Sequence, residues 1–232
     1  MSASIRAFAD NTADPQVRGF LHTPTVSNNQ GLVLSPGAGS NAQAPLLVAL
    51  AETFSAAGFT VLRCDLPYRQ TRSFGPPGPA DAARDRAGLK NALAALREIV
   101  SGRLILGGHS YGGRQSSMLC AELAQKSPEE AENLPAALLL LSYPLHPPRK
   151  PEQQRTQHLP DLRTSTLFVH GTRDPFGSIA ELEQAIKMIP ARTKLVIVEG
   201  AGHDLGFKGK AKQEELPNLI LSELTNFLDL SS

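Results

Sequence analysis

A serine stands between two glycines in Gly108-His109-Ser110-Tyr111-Gly112, directly after an apolar run and just before a stretch that turns polar. A G-x-S-x-G motif at a strand-to-helix junction makes a tight turn that exposes the serine hydroxyl. The glycines occupy the two places where a side chain would strike the neighbouring strand and helix. A hydroxyl is a weak nucleophile until a base takes its proton and an acid orients that base. Two later segments offer these groups: Asp174 in "FVHGTRDPFG" and His203 in "VEGAGHDL". The chain order Ser, Asp, His is that of a triad. The histidine takes and returns the proton, and the aspartate fixes its tautomer. Together the three can carry out acyl transfer through an acyl-serine. The developing oxyanion then needs backbone donors. The Tyr111 N–H is one. The loop "LSPGAGSN" (34–41) supplies the other, with Ala38 expected and Gly37 as the alternative. A phosphate cradle does not fit this loop, which contains neither G-K-[ST] nor G-x-G-x-x-G.

These residues must be brought together by an alternation of strands and helices that begins at Gly31. Apolar runs at 31–35, 59–66, 103–108, 136–143, 165–171 and 193–200 read as strands. A helix with Pro45 in its first turn ends near Gly58. Others span roughly 81–100 and 112–126. Ser178 and Glu181 form a capping box for a fourth, carrying Ile179, Leu182, Ile186 and Ile189 on one face, and Pro217 sits near the start of a last one. The Gly- and Pro-rich stretch 71–80 reads as a loop. Strands apolar on both faces argue for a mostly parallel central sheet with helices on both faces, a three-layer α/β domain. Before residue 30, "IRAFAD" and "VRGFLHT" read as an antiparallel pair on the sheet edge. Ligands of such sheets bind beyond the carboxyl ends of the strands. Ser110, Asp174 and His203 each follow a strand there. No linker divides the chain, so residues 1–232 read as one domain, with 144–163 a short cap-like excursion. That excursion holds several prolines and no long apolar helix, which predicts little or no cap and an open site.

A chain of 232 residues can bury a sizeable core, and its net charge of +1 is scattered. Without a basic stripe or acidic tail, neither nucleic acid nor a membrane surface is an expected partner. "MSASIRAFAD" lacks the apolar centre of a signal peptide, and no stretch is long and apolar enough to span a membrane. Cys64 and Cys120 lie in apolar runs outside any CxxC pair. They read as reduced core thiols, a disulfide being the alternative, and point to the cytoplasm. No metal-ligand spacing is present, and no cofactor is expected. The sequence sets no oligomeric state.

Candidate substrate contacts are Tyr68, Arg69 and Arg72 after "RCDL", Arg114 beyond the elbow, and His146 and His158 in the excursion. An arginine fork recognises carboxylates, so an anionic substrate group is one reading. The plainer reading pairs Arg114 with Asp65 as a brace and leaves the histidines as surface hydrogen-bonding groups.

The segments "SPGAGS", "VLRCDLPYRQ", "GGHSYGGRQSSMLCAEL", "SYPLHPPRKPEQQRTQHLPDL", "TLFVHGTRDPFGS" and "GAGHDL" lie between Gly31 and Leu205. On them the sequence resembles the α/β-hydrolase superfamily and, within it, the dienelactone-hydrolase-like branch. "LPYR" and "YPLHPP…RTQHL" narrow the resemblance to the small family typified by an animal NSL chromatin-complex subunit and its testis-expressed relative. The resemblance implies an α/β-hydrolase fold and the triad Ser110, Asp174 and His203. Two positions depart from it. Pro36-Gly37 stands where the family usually has His-Gly, whose histidine braces the oxyanion loop. His109 and Tyr111 stand where the elbow usually carries Lys and Met, which puts a bulky polar ring near the expected acyl site. The expected function is hydrolysis of a small carboxylic ester or thioester. The alternatives are a catalytically weak binding or scaffold protein, as some relatives are, and an acyltransferase.

Overall fold

The computed structural model describes residues 4–126, 133–207 and 215–229. Residues 1–3, part of the N-terminal stretch read above, lie outside the described residues. Eight strands form one sheet: β1 (Ser4–Asp10), β2 (Val17–Thr23), β3 (Gly31–Ser35), β4 (Thr60–Cys64), β5 (Leu104–His109), β6 (Ala137–Leu141), β7 (Thr166–Gly171) and β8 (Thr193–Val198). Their order is β1-β2-β4-β3-β5-β6-β7-β8. The pairs β1–β2 and β2–β4 are antiparallel, and every pair from β4 to β8 is parallel. The hairpin before residue 30 thus forms the edge expected of it.

The helices are α1 (Pro45–Ala56), α2 (Pro67–Thr71), α3 (Asp81–Arg97), α4 (Tyr111–Ala124), α5 (Ile179–Ile186) and α6 (Glu215–Asp229). Side chains alternate across a strand, so the unbroken run Ala137–Leu141 feeds two cores at once. Leu138 and Leu140 pack on the α3, α4 and α5 side, and Leu139 and Leu141 on the α1 and α6 side. The two cores are the outer interfaces of a three-layer sandwich. Helix α5 starts at the expected capping box: Ser178 accepts from the Glu181 N–H, and Glu181 accepts from the Ser178 N–H. Cys64 and Cys120 are buried and unpaired, which removes the disulfide alternative.

Two local differences, and one expectation that holds, bear on function. The strand expected to run to residue 66 stops at Cys64, and α2 begins at Pro67 where a loop was expected to follow. Pro67 suits the first helical turn, where its missing N–H is no loss. Helix α3 ends at Arg97, a few residues short of the expected 100. The excursion folds down instead of over the rim. Tyr143 donates its hydroxyl to the Arg155 carbonyl at 2.7 Å, and the Arg155 N–H returns to the Leu145 carbonyl at 2.8 Å. Leu159 and Leu162 then enter the core beside α4. No described helix is long and apolar enough to cross a membrane.

Candidate active site

Ser110 sits between β5 and α4 with φ 52° and ψ −115°, a backbone conformation that L-residues adopt only under strain. The surroundings enforce it. A Cβ on Gly108 would lie 2.6 Å from the Gly112 carbonyl carbon, and one on Gly112 would lie 2.5 Å from the Pro36 carbonyl oxygen. The elbow can therefore close only with glycine at both places. Two hydrogen bonds lock it, from the Ser110 N–H to the Leu141 carbonyl (2.8 Å) and from the Arg114 N–H to the Ser110 carbonyl (2.9 Å).

Asp174 follows β7 and His203 follows β8, on the same rim. The His203 Nε2 is 2.8 Å from the Ser110 Oγ, and its Nδ1 is 2.8 Å from the Asp174 Oδ2. The second Asp174 oxygen accepts the Phe176 N–H at 2.9 Å. Burial pushes the Asp174 carboxyl up. The His203 hydrogen bond and charge, the Phe176 amide and the charge of His170 outweigh it and hold the carboxyl below its ordinary value. With the carboxylate on Nδ1, the His203 Nδ1 carries the proton and Nε2 is free to accept the Ser110 hydroxyl hydrogen. Phe176 lies against the His203 ring, the centroids 4.2 Å apart.

His109, the second residue of the motif, is buried and meets the His203 carbonyl through Nε2 at 2.7 Å. Burial holds its imidazole below the ordinary value, so the ring is neutral and Nε2–H donates. His109 thereby ties the elbow to the backbone of the histidine loop.

A cavity of about 740 Å³ opens over Ser110 and His203. Ala38, Leu46, Pro45, Phe176 and Phe207 give it largely apolar walls, and Asp204 stands at its edge. Nothing in the types Leu46, Phe176 and Phe207 marked them in the sequence. The one available signal was that Phe176 and Phe207 lie in the segments that follow β7 and β8, and Leu46 at the start of α1.

None of the six expected substrate contacts is among the residues lining this cavity, which corrects that reading. Arg69 spends its guanidinium on backbone carbonyls: Nε on Ser40 (2.9 Å), Nη1 on Arg72 (3.1 Å), and Nη2 on Ala38 and Gly75 (2.9 Å each). The Tyr68 hydroxyl donates to the Ala38 carbonyl at 2.8 Å. His146 shares Nδ1 with the Pro147 carbonyl at 2.8 Å and has the Glu181 carboxylate 3.6 Å from Nε2. Arg114 stands in the first turn of α4, but its guanidinium lies among Tyr143, Arg155 and His158 and it does not line the cavity. It does not pair with Asp65, whose Oδ1 accepts the Ala42 N–H at 2.7 Å. Arg72 pairs with Asp81. His158 meets the Ser117 hydroxyl at 2.8 Å, away from the cavity. Arg69 and Arg72 thus spend their charge on acceptors within the protein. The Tyr111 ring also turns away from the acyl site, its hydroxyl donating to Asp85 at 2.8 Å. Among the described residues no group of three or more His, Cys, Asp or Glu is arranged to hold a metal ion.

Comparison with known proteins identifies the family and the fold. The sequence model of a family described as "Alpha/beta hydrolase domain" matches residues 28–227. An alpha-beta serine hydrolase homologue from Coxiella burnetii superposes with a TM-score of 0.70 at 18% identity, over 97% of this chain and 98% of that one. Dienelactone hydrolase from Anabaena variabilis gives 0.71 at 21% identity, over 96% of both chains. Est1E from Butyrivibrio proteoclasticus gives 0.70 at 15% identity, over 96% of this chain and 99% of that one. At these identities the likeness is one of fold. Among curated proteins, polyketide synthase ThaQ from Burkholderia thailandensis is 48% identical over 48 residues, 21% of this chain and 2% of that protein's length.

Proposed function

The chain belongs to the alpha/beta hydrolase domain family, and from that premise we propose that it is a serine hydrolase of small carboxylic esters or thioesters. The observation that carries the proposal is the pair of 2.8 Å contacts that set His203 between Ser110 and Asp174. The Ser110 hydroxyl attacks the substrate carbonyl carbon as its proton passes to His203 Nε2. Asp174 stabilises the imidazolium and keeps its orientation. The carbonyl electron pair moves onto oxygen, which the N–H groups of Tyr111 and Ala38 hold. Collapse breaks the bond to the leaving group, which takes the proton from His203 and leaves an acyl-serine. Water repeats the sequence with His203 as base and releases the acid. The apolar cavity walls suit a compact acyl group rather than an anionic one.

Two narrower points belong to the same proposal. "LPYR" and "YPLHPP…RTQHL" support kinship with the NSL-subunit family. The unpaired, buried Cys64 and Cys120 support a cytoplasmic location. The test is labelling by a fluorophosphonate probe. Wild type is expected to label, and Ser110→Ala and His203→Ala to lose labelling. A folded wild type that does not label would sink the proposal and favour the binding-protein reading.

A further inference from the structure

Asp85 lies on the face of α3 that also carries Leu89, Ala92, Leu93 and Leu96, and it has no exposed surface. Among the described residues it forms no ion pair. Burial pushes its carboxyl above the ordinary value, against the pull of the Tyr68 amide and the Tyr111 hydroxyl. A buried carboxylate without a cation is costly unless its oxygens are used. Both are: Oδ1 accepts the Tyr68 N–H at 3.0 Å, and Oδ2 accepts the Tyr111 hydroxyl at 2.8 Å.

The two partners lead to the two proposed oxyanion donors. Tyr111 follows the nucleophile and offers its own backbone N–H. Tyr68 reaches the other loop. Its hydroxyl donates to the Ala38 carbonyl at 2.8 Å and lies 3.4 Å from the Gly37 carbonyl, which also accepts the Ser40 N–H at 3.0 Å. In a trans peptide the N–H points opposite to the C=O. Holding the Gly37 carbonyl toward Tyr68 therefore turns the Ala38 N–H the other way, to the side on which Ala38 lines the cavity. The Tyr68 and Tyr111 rings meet edge to face, centroids 5.9 Å apart, so the two branches also support each other. Pro36 at the head of this loop has no side-chain donor and no N–H, so it can brace neither peptide. The bracing comes from behind: Tyr68 and Arg69 of α2 hold the loop carbonyls, and Asp85 of α3 holds the Tyr68 N–H.

We infer that Asp85 is a positioning residue for both oxyanion donors, acting on one through Tyr111 and on the other through Tyr68. The inference rests on the serine-hydrolase reading. It predicts that α3, which contributes nothing to the cavity wall, sets the rate of the chemical step.

The experiment measures kcat and KM for 4-nitrophenyl acetate, together with thermal melting, in wild type, Tyr68→Phe, Tyr111→Phe, their double variant, Asp85→Ala, Asp85→Ala combined with Tyr111→Phe, and Asp85→Asn. Both single phenylalanine variants are expected to lose about tenfold to a hundredfold in kcat, with KM held within about twofold. Asp85→Ala should lose about as much as the double variant, and adding Tyr111→Phe to it should change little, since residues acting as a unit are not additive. Asp85→Asn should recover most of the loss, because an amide can accept from the Tyr68 N–H and donate to the Tyr111 oxygen. If Asp85→Ala does not fold, the two phenylalanine variants decide the matter, since each keeps its ring in place. Folded phenylalanine variants with wild-type kcat overturn the inference and leave the hydrolase reading standing. So do losses that add independently of Asp85. A wild type that neither turns over the ester nor takes the fluorophosphonate overturns both.

Discussion

Replacing His22 by glutamine should remove a large part of the acid sensitivity of the fold. His22 is buried on β2, and its Nε2 accepts the Nε–H of Arg63 at 2.9 Å. Arg63 also reaches the Ala42 carbonyl, in the segment that joins the Ala38 loop to α1. The guanidinium keeps its charge, so protonating His22 would set two cations together in the core and abolish the acceptor. Burial first, then Arg63, hold His22 down at about 4 against an ordinary 6.5. A group whose folded value lies below its unfolded value binds fewer protons when folded, so stability falls as pH drops through the interval between them. The contribution is complete above about 6.5, declines from there to about 4, and is flat below. At about 1.4 kcal/mol per pH unit, that interval is worth roughly 3 kcal/mol. His158, held at about 4 by burial and by the charges of Arg114 and Arg86, titrates in the same window. The glutamine variant removes only the His22 share and leaves an acceptor for Arg63. Urea unfolding from pH 7 to 4 should show the variant losing roughly 3 kcal/mol less than wild type. Parallel curves for the two proteins would refute the reasoning, because the loss would then come from groups other than His22.

Three further outcomes are expected. Asp174→Asn should keep the fold and lower kcat by about 10³–10⁴-fold, since the amide favours the wrong His203 tautomer; an ester assay on folded protein checks it. Ser110→Gly should abolish turnover yet raise unfolding stability by about 1 kcal/mol, because glycine accepts φ 52° without strain; chemical denaturation reads the gain. Gly108→Ala should cost about 1–3 kcal/mol or more, since its Cβ would meet the Gly112 and Gly113 backbone at 2.6 Å; a lowered melting temperature is the readout.

The layers, and the meeting of Ser110, His203 and Asp174 on one rim, were legible because each has a pattern stronger than its surroundings. Ala137–Leu141 has no polar face, so only a strand covered on both sides accommodates it. Ser110, Asp174 and His203 each follow such a run, and chain order sorted their roles. The substrate contacts were not legible in the same way. Arg69 stands near the rim in sequence, but the direction of a guanidinium depends on which carbonyls the fold leaves nearby, and the Ala38, Ser40, Arg72 and Gly75 carbonyls are all within its reach. Helix α2 is too short for a periodic signal. Asp85 was visible as an acid on the apolar stripe of α3, four residues before Leu89. Such a residue is a conflict in the sequence that only its partners resolve.

Cys64 and Cys120 are the only cysteines of the chain, and burial pushes both thiols up to about 12. Near pH 8 both thiols of the native protein are then protonated, and the sulfurs are buried out of reach of reagents. Alkylation must wait for the domain to open. The rate at which a thiol reagent consumes these two side chains is therefore a clock for native-state opening, with no probe to be engineered in. Cys64 ends β4 while Cys120 lies inside α4, so comparing their rates asks whether strand and helix come apart together or in sequence.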